Sequence, residues 1–148
     1  MYLKISTVVE APFEKVKNGF DRELFQQLNP PFPPVKLLRF DGSKKGDLVS
    51  LQLNFLFFKQ QWTSEITEDH EDKEQFYFID QGTKLPFFLK KWRHKHFVNR
   101  KAKGAEIVDD IYFRTPFLFL DFIMYPVLWL QFMYRKPVYK KYFSEKRE

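Results

Sequence analysis

Over much of the chain apolar residues recur at every second position, and that stretch is flanked on both sides by residues at helical spacing. Leu3, Ile5, Thr7 and Val9 share one face of an expected first strand, which Ala11-Pro12 ends. Phe13, Val16, Phe20, Leu24 and Leu28 then fit one face of a single helix from about Pro12 to Leu28. Pro12 suits its first turn, and the Glu14 carboxylate suits the positive end of its dipole. Asn29-Pro30-Pro31-Phe32-Pro33-Pro34 cannot continue the helix and predicts a turn into a sheet. From there to Pro116 the period is two, with turn signals at Asp41-Gly42, Lys45-Gly46-Asp47, Glu71-Asp72-Lys73, Gln81-Gly82 and Lys103-Gly104. Val49, Leu51, Leu53, Phe55 and Phe57 fall on one strand face, with Ser50, Gln52 and Asn54 on the other. Trp62, Ser64 and Ile66, then Phe76, Phe78 and Asp80, then Trp92, His94 and His96, and finally Ile107, Asp109, Ile111 and Phe113 extend the series.

Residues 117–134 are apolar apart from Asp121, Pro126 and Gln131, a length that touches the lower bound for a membrane span. Asp121, Tyr125, Gln131, Arg135 and Tyr139 lie on one helical stripe and Pro126 should kink the helix, so a buried closing helix is preferred to a span. Strand, helix, meander and long terminal helix together predict an α+β fold. In it a curved antiparallel sheet wraps around a C-terminal helix and leaves a hollow between them. The tail Ser144 to Glu148 is expected to fray.

The 148 residues fit one domain spanning 1–148, and 19 Phe, 7 Tyr and 3 Trp supply an aromatic core. With no Cys, disulfides and thiolate chemistry are excluded, which is compatible with a reducing cytosol. The alternating amino terminus does not read as a signal peptide, and a cytoplasmic location is expected. The net charge of +6 is spread over Lys44-Lys45, Lys90 to Lys95, Arg100 to Lys103 and Arg135 to Lys146, a distribution read as solvated surface.

Over nearly its whole length the chain resembles a known family. Ser6-Thr7-Val8-Val9-Glu10-Ala11-Pro12 is similar to the opening of the START-like, or SRPBCC, superfamily with the Bet v 1-like helix-grip fold. Asp80-Gln81, Pro86-Phe87, Trp92-Arg93-His94-Lys95-His96-Phe97 and Asp109 to Pro116 resemble a bacterial subgroup marked by Trp-x-His-x-His-Phe. Two departures stand out: Gln81 directly follows Asp80, and Phe113 stands where the subgroup usually has Tyr. The resemblance implies non-covalent binding of a small hydrophobic or amphipathic molecule, lipid, polyketide or quinone-like, between sheet and terminal helix. It does not imply one activity, because such folds host carriers, cyclases and receptors.

Trp92, His94 and His96 alternate and so project from one face. A hairpin around Lys101 to Ala105, in the register whose residue numbers sum to 205, sets His96 opposite Asp109, His94 opposite Ile111 and Asn99 opposite Glu106. Asp109 there is expected to fix the tautomer of His96 and raise its pKa, making the pair a polar anchor. Asp80, Phe113, Val49, Leu51, Leu53, Phe55, Phe76 and Phe78 complete the expected lining. The plainer reading is that the two imidazoles satisfy each other, a carboxylate and water while Trp92 packs under the helix.

No metal or other cofactor is expected, because two imidazoles and one carboxylate lack an identifiable outer-shell partner. A cyclase or dehydratase using His96 with Asp109 is an alternative; no activated nucleophile or phosphate-binding glycine loop is present. Inward-facing aromatics argue against nucleic acid. A further alternative is lipid transfer at a membrane surface, docking through the apolar segment and Arg135-Lys136-Pro137-Val138-Tyr139-Lys140-Lys141. His70, in an acidic turn, is expected to be exposed.

Overall fold

Period-two patterning becomes seven antiparallel strands in the order β1-β7-β6-β5-β4-β3-β2. The computed structural model describes residues 1–145; the expected fraying of the tail concerns, from residue 146 onward, positions outside the described residues. The strands are β1 (Tyr2–Val9), β2 (Val35–Phe40), β3 (Leu48–Asn54), β4 (Lys59–Glu71), β5 (Gln75–Lys84), β6 (Lys91–Lys101) and β7 (Gly104–Arg114). The first strand pairs with the last, so everything from β2 to β7 is one meander and β1 returns to its open side. The helices are α1 (Phe13–Asn18), α2 (Arg22–Gln27) and α3 (Leu118–Glu145).

The β6–β7 hairpin has the register expected from counting across Lys103-Gly104, with His96 opposite Asp109, His94 opposite Ile111 and Asn99 opposite Glu106. Gly104 makes this turn possible. Its φ is 102°, and a Cβ added there would lie 2.1 Å from the Val9 carbonyl oxygen, backbone that cannot swing aside. We therefore expect Gly104→Ala to destabilise the fold by more than about 2 kcal/mol in urea unfolding. A loss below about 0.5 kcal/mol would mean that the turn is built differently.

Four expectations need correction. The single helix over 12–28 is broken at Gly19 and Phe20, because Asp21 caps a second helix by accepting the Leu24 amide at 2.9 Å. The apolar face survives the break: Phe13, Val16, Phe20, Leu24 and Leu28 are all buried, against Tyr139, Tyr142 and Phe143 of α3. Gln81-Gly82 is not a turn. It continues β5 opposite an irregularity at Thr63 and Ser64, and the chain reverses at Leu85 to Lys90. There a side chain at Gly82 would strike Leu85, which packs with the buried cluster around Trp92. β3 stops at Asn54, so Phe57 does not share the inner face and is 90% exposed at a turn in which Phe55 stacks on Phe58.

The largest difference lies in α3, which runs without interruption through Pro126 and Pro137. Its carboxy-terminal half buries one face through Phe132, Tyr139, Tyr142 and Phe143, but in the segment expected to be buried Phe117, Leu118, Phe119, Phe122, Ile123 and Leu130 face outward. The stripe of Asp121, Tyr125, Gln131, Arg135 and Tyr139 points largely the other way: Asp121 and Tyr139 are buried, Gln131 and Arg135 are half-buried, and Tyr125 is exposed. No helix among the described residues is long and apolar enough to cross a membrane.

Candidate functional site

Two buried clusters form instead of one continuous core. Phe20, Ile66, Phe76, Phe78 and Tyr139 belong to the first, and Ile5, Trp92, Phe113, Leu128 and Phe132 to the second. Between sheet and α3 lies a cavity of about 600 Å³ that takes wall residues from both, including Ile66, Phe78, Trp92, Leu128 and Phe132. Of the residues singled out from the sequence, Val49, Leu51, Leu53, Phe55, Phe78, Asp80, Trp92, His94 and His96 line it. Phe76, Phe113 and Asp109 do not. Phe76 and Phe113 are packed into the two clusters, while Asp109, 1% exposed, is buried at the imidazole pair.

Strand pairing explains how four polar side chains meet. Asp80 lies opposite His94 across β5–β6, and His96 lies opposite Asp109 across β6–β7, so both carboxylates flank both rings. The hydrogen bonds nevertheless run diagonally. His96 Nε2 is 2.8 Å from Asp80 Oδ2 and His94 Nε2 is 2.8 Å from Asp109 Oδ1. The directly opposed pairs are wider, His94 Nδ1 to Asp80 Oδ2 at 3.6 Å and His96 Nδ1 to Asp109 Oδ1 at 3.7 Å. The ring centroids are 3.5 Å apart. Around this quartet Trp92 Nε1 donates to Asp80 Oδ1 at 3.0 Å, and Arg135 Nη1 lies 3.5 Å from Asp109 Oδ1. The Tyr139 hydroxyl donates to Asp109 at 3.4 Å.

These contacts set the protonation pattern. Burial opposes ionisation of Asp80, but the hydrogen bond from His96 and the nearby imidazoles hold its carboxyl below the usual range. Burial likewise opposes Asp109, and the His94 hydrogen bond with the Arg135 charge outweighs it. His96 is pushed down to about 4, first by burial and then by His94, against the pull of Asp80. Asp109 does pull the His96 pKa upward as expected, but Asp80 is the hydrogen-bond partner and burial outweighs both carboxylates, so the net direction is down. Burial also raises the Tyr139 phenol, keeping it a hydrogen-bond donor.

With both carboxylates ionised, the network assigns Nε2–H to both imidazoles. His96 Nδ1 is then a bare lone pair, buried with no hydrogen-bond partner. His70 is exposed, as expected, with its ring stacked on Tyr77 and bonded to Asp72 at 2.7 Å, remote from the cavity.

Sequence reading missed several lining residues. Trp62, Ser64 and Phe88 lie on or beside strands whose inner face was legible, whereas Phe25, Gln131 and Arg135 come from helices whose orientation toward the sheet no local pattern reveals. Arg135 falls on the stripe that periodicity did single out.

No protein-family model and no curated protein sequence matches the chain. Solved structures do match it. Norcoclaurine synthase from Thalictrum flavum aligns over 100% of this chain and 95% of its own, with a TM-score of 0.68 and 9% identity. Another structure of that synthase contains dopamine and hydroxybenzaldehyde. A protein from Arthrobacter aurescens aligns over 99% of this chain and 88% of its own, with a TM-score of 0.69 and 12% identity. Ara h 8.0201 covers 99% of both chains at a TM-score of 0.62 and 14% identity. At such identities the likeness concerns the fold, and the chain adopts the Bet v 1-like helix-grip architecture.

Proposed function

We propose that this helix-grip chain is a single ligand-binding domain over 1–148, whose cavity holds a small hydrophobic or amphipathic molecule non-covalently. The observation that carries the reading is the cavity itself. About 600 Å³ of space with mostly apolar walls is interrupted on one side by Asp80, His94 and His96. That volume and lining suit a small ligand, lipid, polyketide or quinone-like, with one polar end. The acid and base alternative changes its pair: His96 with Asp80 is what faces the cavity, since Asp109 does not line it.

Ser64 is buried on the cavity wall, where a large ring has room to grow inward. Ser64→Trp is expected to leave far-UV circular dichroism and cooperative thermal unfolding native-like while weakening binding of an apolar fluorescent probe by about tenfold or more, because the ring occupies ligand volume. Native mass spectrometry of the freshly purified wild-type chain complements this by identifying copurified small molecules. A folded variant that binds the probe as wild type does would remove the cavity from the argument.

A second observation favours loading at an anionic bilayer. All at one end of the sheet lie the β3–β4 turn, the β5–β6 turn and the β7–α3 junction. They expose Leu56, Phe57, Phe58, Phe87, Phe117 and Phe119. The segments 54–62, 83–93 and 112–120 hold Lys59, Lys84, Lys90, Lys91, Arg93 and Arg114 and no acidic residue. Acidic residues gather at the opposite end, as in Glu68, Asp69, Glu71, Asp72 and Glu74 around the β4–β5 turn. Exposed Phe32, Val127 and Leu130 also line the cavity, so its mouth continues into this apolar surface. Apolar insertion backed by positive charge is the arrangement that anionic lipid recognises.

A further inference from the structure

The quartet holds more polar chemistry than ligand orientation requires, and one of its buried nitrogens, His96 Nδ1, is unsatisfied. Asp80, His94 and His96 each offer one donor atom, and the three atoms lie within 4.8 Å of one another. Asp80 Oδ2 is central, 2.8 Å from His96 Nε2 and 3.6 Å from His94 Nδ1. Those separations bracket the edge of about 3.3 Å between ligands of a four-coordinate cation bound at about 2.0–2.1 Å.

The outer shell that sequence reading lacked is present. His94 Nε2 bonds the Asp109 carboxylate at 2.8 Å, which leaves its Nδ1 lone pair on the side of Asp80. Asp109 is in turn held by Arg135 and Tyr139, and the other Asp80 oxygen accepts from the Trp92 indole. A carboxylate behind a ligating imidazole fixes its tautomer and raises its basicity.

His96 supplies the second, independent observation. It is 2% exposed, and without an ion its Nε2–H must face Asp80, which strands Nδ1 without a donor. A cation between Nε2 and Asp80 takes the place of that proton. The proton then resides on Nδ1, which faces Asp109 Oδ1 at 3.7 Å, so the ring stays neutral and the stranded atom gains an acceptor.

We propose that Asp80, His94 and His96 bind one divalent first-row transition cation, of the Zn(II) or Fe(II) type, with an open coordination position facing the cavity. Two imidazoles exclude Mg(II) and Ca(II), which prefer oxygen donors, and the absence of thiolates excludes a closed structural zinc site. Three protein ligands leave room for water or a ligand oxygen. The site stands apart from the carrier reading, since uptake is measured on protein free of any small apolar molecule.

Tag-free protein is stripped with chelator and dialysed against Zn(II), with Co(II) as the spectroscopic probe. The expected result is one equivalent per chain, weakened at least about 100-fold by Asp80→Asn and about 10- to 100-fold by Asp109→Asn, with His70→Ala unchanged. Folding of each variant is checked by near-UV circular dichroism. Should Asp80→Asn fail to fold, Co(II) added to wild type decides instead: its paramagnetism shifts the imidazole resonances of His94 and His96 and spares His70. No stoichiometric uptake, uptake that a folded Asp80→Asn retains, or shifts confined to His70 would each overturn the site.

Discussion

A triple variant, Phe57→Ser/Phe87→Ser/Phe119→Ser, is expected to lose at least about 10³-fold in affinity for phosphatidylserine-containing vesicles while keeping its fold. The three rings are 90%, 65% and 64% exposed, so replacing them removes little from the interior. Full insertion of each ring into the acyl boundary is worth about 1.5–3 kcal/mol, and three together exceed about 4 kcal/mol. Charge supplies the rest of the attraction, about 1 kcal/mol for each lysine or arginine close to the surface, so binding should also fall steeply with salt. Vesicles of phosphatidylcholine alone should bind weakly. Cosedimentation reads all three outcomes. The wild-type chain staying in solution, or the variant pelleting as well as wild type, would end the docking argument. So would a dimer in sedimentation equilibrium that the same substitutions dissolve, because the patch would then belong to a second copy.

The sequence offers the apolar segment as a membrane contact only as an alternative, because it does not show which face of the helix turns outward. Residues 117–134 are apolar nearly all round, so periodicity gives the helix no inward face, and the few polar positions are the only guide. Those polar positions mislead because their stripe turns largely inward: Arg135 lies beside Asp109, and Asp121 receives the Thr115 amide at the start of α3. The sheet was far more legible. Alternation marks the strands, and counting across the Lys103-Gly104 turn places His96 opposite Asp109. Counting does not reveal which carboxylate each ring bonds. That depends on side chains leaning along their strands, which pair His96 with Asp80 and His94 with Asp109 across the diagonal. The break between α1 and α2 is hidden for another reason. The apolar spacing runs unchanged from Phe13 to Leu28. What marks the break is the N-cap Asp21, beneath the Tyr142 hydroxyl at 3.1 Å.

The same quartet makes a stability prediction that does not depend on what fills the cavity. Asp109→Leu should cost about 3–5 kcal/mol in urea unfolding, measured in chelator so that no bound ion contributes. Leucine keeps the branched skeleton of aspartate, so the loss comes mainly from charge. The Arg135 guanidinium loses its counter-ion and the His94 Nε2–H its acceptor in a site where His94 is 2% exposed and water cannot fully replace the carboxylate. Removing the stranded charge as well, in Asp109→Leu/Arg135→Met, should recover most of the loss. Breaking one half of a buried pair is costlier than replacing both halves with apolar side chains. Asp80→Leu offers a contrast, because Asp80 is half-buried, faces the cavity and has no arginine partner among the described residues. Its cost should be smaller than that of Asp109→Leu. The reverse order, or a double variant less stable than Asp109→Leu alone, would mean that the Arg135 pairing is not what keeps Asp109 charged inside the fold.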